Sequence, residues 1–259
     1  MFTYEDFPEE LRKLIKEGIF EKNFRGCSES EVYSIENLSF AKKCYLKIGQ
    51  KGSLKREKEI LLWLKGKLPV PSVLYYSGGE KEFLLLEGIE GSDLVGAMDY
   101  LTSKEVVLLL AEGLKMIHSV DIRGCPFNMR LLEKLAEAKR LVELGFVDKN
   151  NFEPENFQRT PEEILNKLNH EIPSSEELVF THGDYCLPNI IVQNNKISGF
   201  IDIGRGGVAD KYQDIALAVR SIRHNLKTEE FVSLFFEGYG LKDIDFSKIE
   251  YYILLDELF

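Results

Sequence analysis

A strand-like run, Val179-Phe180-Thr181, leads straight into His182-Gly183-Asp184, and Asn189 follows five residues after the aspartate. Beyond it, two apolar stretches, Ile190-Ile191-Val192 and Ile197-Ser198-Gly199-Phe200-Ile201-Asp202, flank the polar segment Gln193-Asn194-Asn195-Lys196, a hairpin signal. With Asn195-Lys196 as a two-residue loop, Asn189 lies opposite Asp202. An amide oxygen and a carboxylate together at the open end of a hairpin suit a hard cation such as Mg²⁺. Asp184, at the end of a buried strand, can point its carboxylate at the same place. One aspartate to orient or deprotonate a hydroxyl, beside an Asn/Asp pair for a metal that holds phosphates, is the layout of kinase-type phosphoryl transfer. Each residue alone reads as an ordinary loop residue; the set carries the inference.

Such chemistry needs a cation near the phosphates. Lys47 lies within the apolar run Tyr45-Leu46-Lys47-Ile48, where a charged side chain needs a partner. Glu57, on the helix expected next in the chain, is well placed to be that partner. Read alone, Lys47 is a snorkelling surface residue.

The elements that must position these groups fall into two regions. Residues 1–87 read mainly as short strands, with strand-like composition at 32–35, 44–48 and 81–87 and a helical stripe from Ile60, Leu61 and Leu64 over 54–64 after Ser53. Gly88 and Gly91 mark a hinge at 87–91. Residues 88–259 read as mainly helical: a helix capped by Thr102 or Ser103 and reaching 119, another over 129–144 closed by Gly145, and a third opened by Thr160-Pro161-Glu162-Glu163. After the hairpin come helices at about 210–224 and 228–238, and a last one opened by the box Ser247-Lys248-Ile249-Glu250. A sheet-rich region joined to a helical one leaves a cleft as the expected ligand site.

Composition narrows the partners. The chain has 259 residues, 43 acidic and 33 basic side chains and a formal charge of −10. The densest basic cluster, Lys51 to Lys67, is interleaved with Glu57 and Glu59, so nucleic acid is excluded as a partner. The acidity is concentrated in residues 148–177 (net −5) and 228–259 (net −6). Cys27, Cys44, Cys125 and Cys186 are scattered, giving no zinc motif and the expectation of reduced thiols. The start, Met1-Phe2-Thr3-Tyr4-Glu5-Asp6, is acidic where a signal peptide is basic, and the longest strongly apolar run, Val106 to Ala111, is six residues. A cytoplasmic, membrane-free protein is expected.

The quoted residues resemble the aminoglycoside phosphotransferases, and most closely the aminoglycoside 3′-phosphotransferases. The likeness spans nearly the whole chain. It is strongest at Tyr45-Leu46-Lys47, at Arg56-Glu57-Lys58 through Pro71, from His182-Gly183-Asp184 to Asp202-Ile203-Gly204-Arg205, and in the ending Asp256-Glu257-Leu258-Phe259. It implies an α+β, protein-kinase-like bilobal fold, with residues 1–87 as a nucleotide-binding lobe and 88–259 as a catalytic and substrate-binding lobe. It implies ATP and Mg²⁺ as cofactors and phosphorylation of the 3′-hydroxyl of aminoglycosides, conferring resistance.

Residue roles follow from the same resemblance. Asp184 is the implied catalytic aspartate, Asn189 and Asp202 the Mg²⁺ ligands, Lys47 the phosphate contact held by Glu57, and Arg205 an organiser of the active site. Ser28, in the loop Gly26-Cys27-Ser28, is an implied phosphate contact. Tyr45 is expected to stack on adenine while the Glu87 carbonyl and Ile89 amide bond its edge. Asp256, Glu257 and the carboxylate of Phe259 are the implied ammonium-binding groups, with Glu155 holding one further place. Leu187 and His224 stand where relatives often carry acids, so a kinase for another small alcohol (choline, an amino sugar or a macrolide) stays open, as does a nucleotide-binding module that transfers nothing. Neither composition nor motif fixes the oligomeric state.

Overall fold

The computed structural model describes residues 6–23 and 30–259, and the chain divides into two units. The first runs up to Gly91 and takes back Ser198–Gly204; the second holds Ser92–Ile197 and Arg205–Phe259.

In the first unit, helix α1 (Glu9–Ile15) precedes β1 (Ile19–Asn23), β2 (Glu31–Leu38) and β3 (Ala41–Gln50), then α2 (Lys55–Leu64), β4 (Val73–Ser77) and β5 (Lys81–Glu87). The strands form one antiparallel sheet in the order β1-β2-β3-β5-β4. Period-two alternation along β3 sends Cys44, Leu46 and Ile48 to one face, where they pack with Leu11, Ile15, Ile35, Phe83 and Leu85. Tyr45 and Lys47 therefore project from the opposite face. Strand β5 is buried at five consecutive positions, Glu82 to Leu86, as befits an interior strand. The composition of the first ninety residues did not announce α1 or β4.

Ser53 does not cap α2: its hydroxyl donates to the Gln50 carbonyl (2.8 Å). The open N–H groups at the helix start are instead satisfied from β5, where the buried Glu82 carboxylate accepts from Leu54 N (2.7 Å) and Lys55 N (3.1 Å), and its other oxygen accepts from the Tyr76 hydroxyl (2.8 Å). Burial pushes the Glu82 carboxyl up, but these donors outweigh it and hold it below its ordinary value. A side chain 28 residues downstream thus fixes where α2 begins.

In the second unit, β6 (Ser92–Asp93) and the short α3 (Leu94–Ala97) lead into α4 (Ser103–His118), α5 (Leu131–Leu144) and α6 (Pro161–His170). Both expected capping boxes are formed, Thr102 with Glu105 and Thr160 with Glu163, and Gly145 closes α5 in the left-handed conformation. Then come β7 (Leu178–Thr181), β8 (Ile190–Gln193), β9 (Lys196–Phe200), whose last three residues belong to the first unit, β10 (Gly207–Asp210), α7 (Tyr212–Leu226), α8 (Glu230–Tyr239) and α9 (Phe246–Asp256). β10 pairs antiparallel with β7, and β6 with β8. Among the described residues no helix is long and apolar enough to cross a membrane.

Two local expectations are corrected. The hairpin loop is Asn194-Asn195, not Asn195-Lys196: both asparagines take positive φ (52° and 59°), which a two-residue I′ turn demands and asparagine tolerates far better than lysine. The opposed positions inferred from the other loop, Asn189 against Asp202 among them, are therefore out of register. The last helix is capped by Asp245 rather than Ser247. The Asp245 carboxylate accepts from Lys248 N (3.1 Å) and from the Ser247 hydroxyl (2.5 Å), because an ionised acceptor near a helix N-terminus gains from the dipole as well as the hydrogen bond.

Candidate active site

In the first unit the Lys47 ammonium lies 2.7 Å from Glu57 Oε1 and also bonds Asp202 Oδ1. Lys47 and Glu57 are nearly buried, at 13% and 8% side-chain exposure, whereas Asp202 is about half exposed at 49%. Burial works to lower the lysine's pKa, and the two carboxylates overcome it, holding the ammonium well above its usual range. Asp202 sits at φ 57°, a left-handed conformation that few non-glycine residues adopt and that marks strained functional positions.

Of the residues implied for nucleotide recognition, Tyr45 is half-buried with the Lys43 ammonium 5.6 Å from its ring centroid. Gly88 N donates to the Lys43 carbonyl (2.9 Å) and tethers the end of β5 there. Glu87 is exposed, its N–H donating to the Ser72 carbonyl (2.9 Å), and Ile89 is half-buried. Ser28 lies outside the described residues.

In the second unit β7 delivers the turn His182-Gly183-Asp184. Gly183 has φ +84°, and a Cβ there would stand 2.3 Å from the Arg205 carbonyl oxygen, so only glycine lets the two backbones pass. The buried carboxylate of Asp214, at the start of α7, accepts from His182 N (2.7 Å) and Gly183 N (2.9 Å). It also faces His118 Nε2 at 3.3 Å, and His118 Nδ1 faces the Tyr239 hydroxyl at 2.8 Å. Burial pushes Asp214 up, and His118 and the backbone donors prevail, leaving it below the ordinary carboxylate value. The Tyr185 hydroxyl donates to Leu110 O (2.6 Å) and Leu187 N to the Ser221 hydroxyl (3.0 Å), tying the loop to α4 and α7.

The Asp184 carboxylate, half-buried, accepts from Asn189 Nδ2 at 3.0 Å, and the same amide nitrogen bonds the Asp184 carbonyl at 2.9 Å. With both of its N–H groups spent on Asp184, Asn189 keeps Oδ1 as an acceptor. This amide oxygen is a hard donor of the kind Mg²⁺ takes together with phosphate oxygens and water, and so, in the first unit, is the half-exposed carboxylate of Asp202. Each is chemically suited to that ion.

At the chain's end, Asp256 is buried and receives Arg220 Nη2 at 2.7 Å, with Arg205 Nη1 at 3.8 Å from its other oxygen. Glu257 Oε1 accepts from Asn156 Nδ2 (2.7 Å), while its buried Oε2 has no hydrogen-bond donor among the described residues. Burial foremost, with the carboxylates of Glu153 and Glu155 adding to it, pushes Glu257 above its ordinary value against the Asn156 bond and the Glu153 backbone N–H. Glu155 itself is exposed, on the short turn Pro154–Asn156. His224 is exposed on α7 and Leu187 fully buried.

Asp214, His118, Ser221 and Glu82 escaped the sequence reading. Asp214 looks locally like one more acid in a first helical turn; only its burial reveals what it holds.

A sequence model described as "Phosphotransferase enzyme family" matches residues 26–252. An aminoglycoside 3′-phosphotransferase from Niallia circulans is 43% identical over 98% of both chains. The crystal structure of a type VIII aminoglycoside 3′-phosphotransferase superposes with a TM-score of 0.84 at 28% identity, covering 96% of this chain and 97% of that one. A Streptomyces rimosus aminoglycoside phosphotransferase solved with ADP and streptomycin gives 0.80 at 25% identity, covering 100% and 99%. The fold is α+β and protein-kinase-like, and the chain belongs to the aminoglycoside 3′-phosphotransferases of the phosphotransferase enzyme family.

Proposed function

We propose that this chain transfers the γ-phosphoryl group of ATP to the 3′-hydroxyl of aminoglycosides and thereby confers resistance. The observation that carries the reading is the buried Lys47 ammonium shared by Glu57 and Asp202, within a chain 43% identical to an aminoglycoside 3′-phosphotransferase. Residues 1–87 bind the nucleotide and 88–259 the drug, with 87–91 as the hinge.

Lys47, oriented by Glu57, neutralises charge on the α- and β-phosphates, while Tyr45 stacks on adenine and the Glu87 carbonyl and Ile89 amide bond its edge. Asn189 and Asp202 hold Mg²⁺, which when bound offsets the charge of the transferring phosphoryl group. Asp184 accepts the hydrogen bond of the attacking hydroxyl, orients its lone pair and takes its proton as the new P–O bond forms and ADP leaves. The second-unit loop is pre-set by Asp214, so catalysis is mostly positioning and electrostatics. Arg205 organises the site's end, and Glu155, Asp256, Glu257 and Phe259 take drug ammonium groups. The acidic segments 148–177 and 228–259 favour approach of a polycation.

The test is ADP release on incubation with ATP, Mg²⁺ and a panel of aminoglycosides, with the phosphate located by NMR. Phosphorylation at the 3′-position is expected, and Asp184→Ala should lose about 10²-fold or more in kcat. Turnover confined to choline, amino sugars or macrolides would overturn the substrate; an unimpaired Asp184→Ala would overturn the mechanism.

A further inference from the structure

Lys134 belongs to the inward face of α5, alongside Leu131, Leu135, Ala138 and Val142, and is only 3% exposed. An apolar residue is what that stripe calls for. Among the described residues the Lys134 ammonium forms no hydrogen bond and no ion pair; it lies 5.0 Å from the centroid of the Phe259 ring, the last residue of the chain. Burial draws it below the ordinary lysine value, aided by repulsion from Arg205 and opposed by the attraction of Asp256 and, more weakly, of Asp214 and Asp184. Asp256 is already served by Arg220 and Arg205, so Lys134 is a third cation around one carboxylate. Burying a cation without a carboxylate of its own costs stability, so folding does not explain its presence.

The surroundings are those an ammonium group seeks, an aromatic face and a negative potential. We propose that Lys134 is a specificity-determining residue: a built-in ammonium occupying, for the chain itself, one of the ammonium places offered by Asp256 and the Phe259 ring and leaving the others to the substrate. The inference rests on the aminoglycoside reading above. Its consequence is directional. A substrate that brings a hydroxyl to this end meets no penalty, and one that brings another ammonium meets the repulsion of Lys134.

Lys134→Met tests this. The thioether keeps the length and packs well on an aromatic ring, so the variant is expected to fold with an unchanged or higher melting temperature. Lys134→Gln, also uncharged, is measured beside it and Lys134→Arg as the charge-retaining control. The substrates are matched pairs of aminoglycosides, each pair exchanging one ammonium for one hydroxyl at a different ring position. For at least one pair, KM and calorimetric Kd of the more charged member should fall about threefold or more relative to the hydroxyl member in both uncharged variants. The ratio should stay at the wild-type value in Lys134→Arg, with KM for ATP and kcat for the hydroxyl member unmoved. Wild-type binding with ratios invariant in every pair, or shifted equally in Lys134→Arg, would overturn the inference alone. Absence of any aminoglycoside binding by the wild-type chain would overturn the substrate reading and the inference with it.

Discussion

Glu57 on α2 reaches the Lys47 ammonium on β3 at 2.7 Å, in surroundings almost closed to solvent. Strand pleat turns Lys47 away from the Leu46 core, and Glu82 sets the start of α2 so that its third residue meets the lysine.

Glu57→Gln keeps the shape and removes the charge, leaving Lys47 to Asp202. With one partner gone the ammonium is no longer fixed for the phosphates. kcat/KM for ATP should fall by about tenfold or more, equivalent to about 1.4 kcal/mol, while KM for the aminoglycoside moves little. Steady-state kinetics with each substrate varied in turn decides it, and an equal loss in both KM values would contradict the assignment.

Asp214 holds the loop of Asp184 through two backbone N–H groups. Asp214→Asn turns an amide against those donors and should cost about 2–4 kcal/mol of stability, with a fall in kcat. The pH dependence has a definite sign. A carboxyl held below its unfolded value of about 3.9 contributes stability that is fully present above that pH and is lost as pH falls toward the depressed folded value. Urea titrations from neutral to acid should therefore show the gap between wild type and Asp214→Asn constant near neutrality and narrowing below about pH 4.

Glu257 presents the opposite case. Its carboxyl is pushed up by burial and by neighbouring acids, and Oε2 has no hydrogen-bond donor among the described residues. A raised acid penalises the fold once pH exceeds its unfolded value, and the penalty is relieved as pH drops. Glu257→Gln, which keeps the acceptor for Asn156, should raise stability on the order of 1 kcal/mol at neutral pH while raising KM for the aminoglycoside. Thermal melts beside kinetics test both; unchanged KM would remove Glu257 from the drug site.

The chemistry was legible because its side chains cluster in short segments. His182-Gly183-Asp184, Asn189 and Asp202 fall within about twenty residues, and turn signals between apolar runs marked the hairpin even though its loop was off by one. Lys47 and Glu57 could be matched because a charge inside an apolar strand demands a partner. The capping boxes of α4 and α6 and the glycine end of α5 are written in local spacing, and the structure forms them as spaced.

What local pattern cannot encode is a group whose meaning lies in what surrounds it. Glu82 reads as a strand residue and acts as the cap of a helix before it in sequence; Asp214 reads as a first-turn acid and acts as the anchor of a loop thirty-two residues earlier. Asp256 and Glu257 read as two equal acids at the chain end. Packing gave Asp256 two arginines and Glu257 only uncharged donors among the described residues, so one carboxylate is compensated by charge and the other is pushed up. Residue type and spacing pointed to the class of reaction and to the candidate residues proposed for it. Tertiary structure decided which charges are paired, buried or left over, because desolvation and the partners it forces depend on neighbours far apart in the chain.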